Sequence, residues 1–347
     1  MYFRPEIEAM SGYVPGEQPQ AGKFIKLNTN ENPYPPSPKA IKAICDAAQT
    51  SLVRYPDPLA TSFRLRAADV LGVDPNGILC GNGSDDILTI CTRALVGDGQ
   101  WLRLPHPSYV LYKTLAEIQG AESEEIPFEP DWSLGDAFSA ESANLQLAFL
   151  PNPNSPSGSV LPPARILELA DALPCPLLVD EAYVDFAETN CLKLVAENEK
   201  IMVSRTLSKS YALAGLRFGF LVAQPQMVEQ LRKVKDSYNC DALAIAGATA
   251  AIDDQTWLTD NVRKVVATRA RLTAAMRQFG FVVPDSQANF VWCMWPGREL
   301  RPIYQDLKDR RILVRYMNYD GFGEGIRVSV GTDDQIDALV ATLQSIL

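Results

Sequence analysis

Ile201 to Phe220 reads Ile-Met-Val-Ser-Arg-Thr-Leu-Ser-Lys-Ser-Tyr-Ala-Leu-Ala-Gly-Leu-Arg-Phe-Gly-Phe. The apolar run Ile201-Met202-Val203 predicts a buried strand, which empties into a loop of hydroxyls around one lysine. Arg217 follows, and then a second apolar run from Phe218 to Ala223. A primary amine, Lys209, and a guanidinium, Arg217, are thus held between two buried strands beside Thr206, Ser208 and Ser210. That combination suits a phosphorylated aldehyde: the amine condenses with the carbonyl, while the guanidinium and hydroxyls hold the phosphate.

Upstream, Leu177-Leu178-Val179 predicts an apolar strand that ends in Asp180-Glu181-Ala182-Tyr183. A carboxylate at the edge of a buried strand is costly unless a cation faces it. Ile78-Leu79-Cys80 runs into Gly81-Asn82-Gly83-Ser84-Asp85-Asp86 and then a helical pattern. Glycines at a helix start let backbone N–H groups converge on a phosphate. Asp86 replaces the third glycine of a dinucleotide loop, so a single phosphate fits better than a pyrophosphate. Two more strand-to-loop junctions follow, Trp101 to Leu104 leading into His106-Pro107-Ser108-Tyr109 and Leu145 to Leu150 leading into Pro151-Asn152-Pro153-Asn154-Ser155-Pro156-Ser157-Gly158. Strands and helices alternate from about residue 50 to 255, which predicts a mostly parallel sheet covered on both faces. In such sheets ligands sit at the carboxyl ends of the strands.

Residues 1 to 37 are rich in proline, glycine and asparagine and predict an extended arm. Pro38 to Ser51 reads as a helix with Ile41, Ile44 and Ala48 on one apolar face, and the two prolines of Arg54-Tyr55-Pro56-Asp57-Pro58 predict a turn that presents Tyr55 outward. After Ala223 the pattern turns helical over Pro225 to Lys235, Ala242 to Ile252 and Thr256 to Phe279. Strands are then predicted within Phe281 to Trp295, over Ile312 to Arg315 and over Ile326 to Val330. Helices from Leu300 to Arg310 and Asp333 to Leu347 complete a smaller α+β unit. The division read from this is residues 1–50 as arm and first helix belonging to the small domain, 51–258 as the large domain, and 259–347 as the C-terminal small domain.

A net charge of −10 argues against a nucleic-acid or anionic-membrane partner, so anionic ligands must be met by local arginines. The 7 cysteines are odd in number and show no Cys-x-x-Cys pair, and the single histidine, His106, lacks partners for a metal. Neither a disulfide framework nor a metal site is expected, a reduced cytoplasmic compartment fits, and no apolar run reaches membrane-spanning length. His106, before Pro107 at a strand-to-helix turn, reads as structural.

Ser208-Lys209, Tyr211, Leu213 to Arg217, Gly219 and Phe220 resemble the lysine signature of fold-type I pyridoxal-phosphate-dependent aminotransferases, Ser-Lys-x-[Phe/Tyr]-x-[Leu/Met]-Ala-Gly-[Leu/Ile]-Arg-x-Gly-[Phe/Tyr]. Asp180-Glu181-Ala182-Tyr183 is a second anchor. Gly12-Tyr13-Val14-Pro15-Gly16 and Leu27-Asn28-Thr29-Asn30-Glu31-Asn32-Pro33-Tyr34 look like the opening of histidinol-phosphate aminotransferases. Gly325 to Thr332 matches Ile-Arg-[Ile/Val]-Ser-[Val/Ile]-Gly-Thr, in which the arginine binds a substrate anion.

The resemblance covers almost the whole chain and implies pyridoxal 5'-phosphate as cofactor, with Lys209, Asp180 and Tyr183 catalytic. Asp180 would face the ring nitrogen and Tyr183 the phenolic oxygen. Gly83, Ser84, Asp85, Thr206, Ser208, Arg217 and Tyr55 would hold the phosphate end, Tyr55 from the other subunit of a homodimer with shared sites, while Tyr109 would stack on the ring. The family places an asparagine where Ser155 stands, so the contact to the phenolic oxygen falls to Asn154 by a local shift or to the serine; Asn154 is the choice here. Tyr13, Asn32, Arg315 and Arg327 would meet the substrates, histidinol phosphate and 2-oxoglutarate or glutamate. An aromatic amino-acid aminotransferase or a threonine-phosphate decarboxylase shares the scaffold, and a non-catalytic phosphate-ligand-binding protein is the alternative of a different class.

Overall fold

The computed structural model describes residues 2–12, 16–18, 22–50 and 52–347, so Tyr13 lies outside the described residues. Seven strands build the large sheet: β1 Ile78–Gly81, β2 Trp101–His106, β3 Glu122–Pro127, β4 Leu145–Pro151, β5 Leu177–Asp180, β6 Ile201–Thr206 and β7 Gly219–Val222. Their spatial order is β1-β7-β6-β5-β4-β2-β3. Only β7 runs against its neighbours, antiparallel to both β1 and β6, and the other pairings are parallel. Because side chains alternate along a strand, one set enters the core on one face and the other set the opposite core. Leu177, Val179, Ile201 and Val203 belong to the first core, Leu178, Met202 and Leu221 to the second.

Strand β3 has no apolar alternation and escapes a hydrophobic reading. It is the edge strand, Glu-Ser-Glu-Glu-Ile-Pro, paired on one side only with β2, and its charges guard the open edge. The Pro38–Thr50 helix also differs in its buried face: Ala40 and Ala47 are buried, whereas Ile41 is 46% exposed. Small residues face inward because the helix lies close against the Ala242–Asp253 helix, where a Cβ on Gly247 would stand 2.7 Å from Ile44. Ala40 therefore joins the large-domain core while Leu27 joins that of the small domain.

The small domain combines an antiparallel sheet, Phe290–Cys293, Gly323–Ser329 and Arg315–Tyr319, with the helices Gln255–Gln278, Arg301–Asp309 and Asp333–Ile346. The last helix opens on a capping box between Thr332 and Gln335. The arm ties into this domain by a two-residue parallel pairing, Ile25–Lys26 with Ile312–Leu313, and then crosses to the cleft between the domains. There Asn30 receives a bond from Asn289 Nδ2 on its carbonyl, 2.9 Å, and donates its own N–H to Ser329 Oγ, 2.8 Å.

Candidate active site

A cavity of about 260 Å³ opens where the carboxyl ends of β5 and β6 meet the small-domain hairpin, and Lys209, Asp180, Tyr183, Tyr109, Ser84, Asp85, Arg217, Arg315 and Arg327 all line it. Lysine and buried acid thus share one chamber.

Lys209 lies just beyond β6, on a loop that cannot sway. Asn32 Nδ2 donates to the carbonyls of Lys209 at 3.1 Å and Ser210 at 2.9 Å, and Ser210 Oγ bonds Asp185. Asn32 therefore stands behind the lysine loop and is not among the residues that line the cavity. The Lys209 Nζ stands 5.6 Å from the centroid of the Tyr183 ring.

One end of the cavity is a phosphate cradle. The Ser84–Leu95 helix begins at Gly83, whose φ of +86° only glycine adopts freely, and Ser84 and Asp85 present its first turn. Arg217 takes a left-handed conformation, φ +53°, that turns its guanidinium back over this helix start, with Nη1 3.4 Å from Ser208 Oγ and Nη2 3.2 Å from Asp85. Thr206 Oγ1 donates to Ser208 Oγ at 3.0 Å. On the strand beneath, a Cβ on Gly219 would stand 2.5 Å from Ser84 N, so the bare backbone of β7 is what lets the helix start approach.

At the other end Asp180 is 5% exposed. Tyr112 O–H donates to its Oδ2 at 2.7 Å, while Ser204 Oγ and the Ala182 N–H donate to Oδ1 at 3.2 Å each. Burial pushes its pKa up to about 6, the hydrogen bonds from Tyr112 and Ser204 pulling the other way and Asp85 adding to the rise. Tyr109 closes the space between the ends; its O–H reaches Asp85 Oδ1 at 3.3 Å, and its ring meets Tyr112 edge-on at 5.5 Å. Tyr183 O–H accepts from Asn30 Nδ2 at 3.0 Å. Below this floor Glu181 and Arg205 form a buried ion pair at 2.7 Å; burial raises the Glu181 pKa and Arg205 opposes the rise.

The substrate side is the hairpin Arg315–Tyr319 and Gly323–Ser329, whose register sets Arg315 opposite Arg327. Arg315, Met317 and Tyr319, every second residue, point into the cavity. Arg327 Nη1 donates to Ser155 Oγ at 2.9 Å and Nη2 to the Asn28 carbonyl at 3.3 Å, while its Nε is buried without a partner. A buried guanidinium N–H aimed into a cavity is a donor set for an anion.

Asn154 is not among the residues that line the cavity. Its Nδ2 is spent on the Pro107 carbonyl, 3.3 Å, and on Ser157 Oγ, 2.9 Å, and Ser155 lines the cavity instead. Tyr55 is 80% exposed and stacks on Tyr238, ring centroids 4.5 Å apart, away from this chain's own cavity. Sequence reasoning missed Tyr112 and Ser204: a buried tyrosine one helical turn after Tyr109, facing a strand-end acid, was the available signal. Met317 and Tyr319 carried none.

The chamber fits pyridoxal 5'-phosphate. A helix start, a guanidinium and two hydroxyls stand at one end, a tyrosine flanks the middle, an amine lies within, and a buried acid awaiting a cation closes the far end. Fold and site together define a fold-type I pyridoxal-phosphate-dependent aminotransferase. The description "Aminotransferase class I and II" matches residues 22–343, and the chain belongs to that family. It is similar to the histidinol-phosphate aminotransferase of Rhodopirellula baltica, 56% identical over 345 residues that are 99% of this chain and 95% of that protein. Histidinol-phosphate aminotransferase 1 of Nostoc sp. is 47% identical, with 100% and 98% covered. The crystal structure of histidinol-phosphate aminotransferase from Sinorhizobium meliloti in complex with pyridoxal-5'-phosphate superposes with a TM-score of 0.91 at 26% identity, covering 100% of this chain and 98% of that one.

Proposed function

We propose that this enzyme moves the amino group of L-histidinol phosphate to 2-oxoglutarate, giving imidazole acetol phosphate and L-glutamate, a step of histidine biosynthesis. The observation that carries the reading is the opposed pair Arg315 and Arg327 on a hairpin that shares one cavity with Lys209 and Asp180. Two planar cations suit the phosphate of one substrate and the distal carboxylate of the other.

Bound pyridoxal phosphate supplies an aldehyde that accepts the amine and a pyridinium ring that draws electron density from the bonds of the amine-bearing carbon. Lys209 Nζ would hold the aldehyde carbon at rest and, once freed, would take the proton from the amine-bearing carbon of the substrate. Asp180, its carboxylate oriented by Tyr112 and Ser204, would hold the ring nitrogen in its protonated form. Ser84, Ser208 and Arg217 would hold the phosphate, and Tyr183 O–H would stabilise charge on the phenolic oxygen. The same reading makes the enzyme a cytoplasmic homodimer in which Tyr55 completes the partner's phosphate site; its exposure and distance from its own cavity support this.

The test is the half-reaction of the yellow enzyme with histidinol phosphate against phenylalanine. Histidinol phosphate is expected to react at least tenfold faster in kcat/KM, and Lys209→Ala is expected to lower the rate by ~10²–10⁴-fold or more while abolishing the borohydride-reducible absorbance. Faster reaction of phenylalanine would overturn the substrate assignment.

A further inference from the structure

His106, the only histidine in the sequence, stands at the end of β2, where the large domain touches the tip of the small-domain hairpin. Its Nε2 lies 3.1 Å from the carbonyl oxygen of Asp320, a residue of that tip. Its Nδ1 lies 2.9 Å from Glu125 Oε2 on β3. Glu125 is in turn held through Oε1 by the Lys113 ammonium at 2.8 Å. Burial works to raise the Glu125 pKa, but Lys113 first and His106 after it outweigh burial and hold the carboxyl below its usual range. The ring also packs edge-on against Tyr319, 6.1 Å between centroids, and against Phe322, 5.9 Å, and Phe322 leans on Trp132 of the large domain at 5.4 Å.

The chemistry of the two nitrogens is decided by their partners. A backbone carbonyl accepts only, and an ionised carboxylate accepts only. Neutral imidazole has one donor and one acceptor nitrogen, so either tautomer would set a lone pair against a lone pair at one of the two contacts. Only imidazolium donates to both. The groups facing it are Glu125 and Lys113 from the large domain and Tyr319 and Asp320 from the hairpin, and Tyr319 O–H is occupied by Met317 Sδ at 3.1 Å.

The hairpin so held is the one that carries Arg315, Tyr319 and Arg327 into the cavity. Its turn is built on Gly321 and Gly323, both with φ near +75°, which carry no side chains of their own to anchor it. We propose that His106 is a positioning residue for anion recognition: bridging Glu125 and the Asp320 carbonyl, it clamps the hairpin tip to the large domain and thereby fixes Arg315 and Arg327 for the substrate's distal anion. This rests on the anion-binding role given to those arginines under the proposed function.

The test uses the cofactor-loaded enzyme and 2-oxoglutarate, whose charge is constant above about pH 6. For His106→Gln the KM for 2-oxoglutarate is expected to rise about tenfold with kcat changed less than about twofold, the loss of one charge-assisted hydrogen bond. The visible cofactor band should persist, and amide hydrogen exchange over residues 315–329 should quicken. Glu125→Gln, which leaves the ring in place, should give a smaller rise of about threefold and serves if His106→Gln does not fold. Unchanged KM and unchanged exchange, or kcat and cofactor affinity falling as KM rises, would overturn the clamp. Arg315→Ala separates the two ideas: if it leaves KM unaltered the anion-site reading fails, while the exchange rates still judge the clamp.

Discussion

Asp180 is the residue on which burial and function pull in opposite directions. A carboxyl raised from 3.8 to about 6 binds its proton more tightly folded than unfolded, so stability contributed by the protonated form is present below the unfolded value and declines as pH rises from about 4 to about 6. For the cofactor-stripped protein that decline amounts to about 3 kcal/mol from this one group. Asp180→Asn should remove it, which denaturant melts of the two stripped proteins at pH 4 and pH 7 would show as a smaller loss in the variant. A bound ring cation should cancel the same penalty. Tyr112→Phe keeps the buried shape but deletes the donor to Oδ2, and cofactor affinity is expected to fall about tenfold by fluorescence titration. In an Asp180→Asn background the same change should do nothing further, whereas simple packing damage would add in both.

Among the elements, the junction of β7 with the Ser84–Leu95 helix sets the phosphate end by the absence of a side chain. Gly219→Ala would place a carbon 2.5 Å from Ser84 N and 2.6 Å from Gly83 C, both backbone, so the helix start must retreat. The expected result is a cofactor dissociation constant raised about tenfold or more, read by the absorbance of the loaded enzyme, with the thermal midpoint of the stripped protein shifted by only a few degrees. The hairpin has a similar constraint where Gly325 lies flat on Trp292, which would meet a Cβ at 2.2 Å. Apolar runs made β1, β4, β5, β6 and β7 legible in the sequence. Strand β3 was not, because an edge strand needs charge where a core strand needs carbon.

For the whole molecule, Val53 and Tyr55 expose apolar surface beside the Ala242–Asp253 helix. If Tyr55 serves the partner's site, Tyr55→Ala should weaken cofactor binding about tenfold, the loss of one hydrogen bond to a charged phosphate. Mixing that variant with Lys209→Ala should restore one complete site per hybrid dimer. Titration of the mixture would then show a tight fraction that neither parent has, and its absence would exclude sharing.

The chain by itself determined the class of fold and the cofactor and pointed to candidate reacting groups, because a strand-end acid, a lysine between strands and a glycine-led helix are local patterns with local chemistry. Contacts across the domains were decided only by tertiary structure. Asn32 went behind the lysine loop, Asn154 turned into its own loop while Ser155 faced Arg327, and Tyr112 met Asp180 68 residues away. Which of two adjacent polar residues points into a cleft depends on backbone direction at one peptide, and no periodicity in sequence encodes it. Hydrogen-bond partners separated by so much chain are chosen by packing, after burial has made an unpaired polar group too costly to leave.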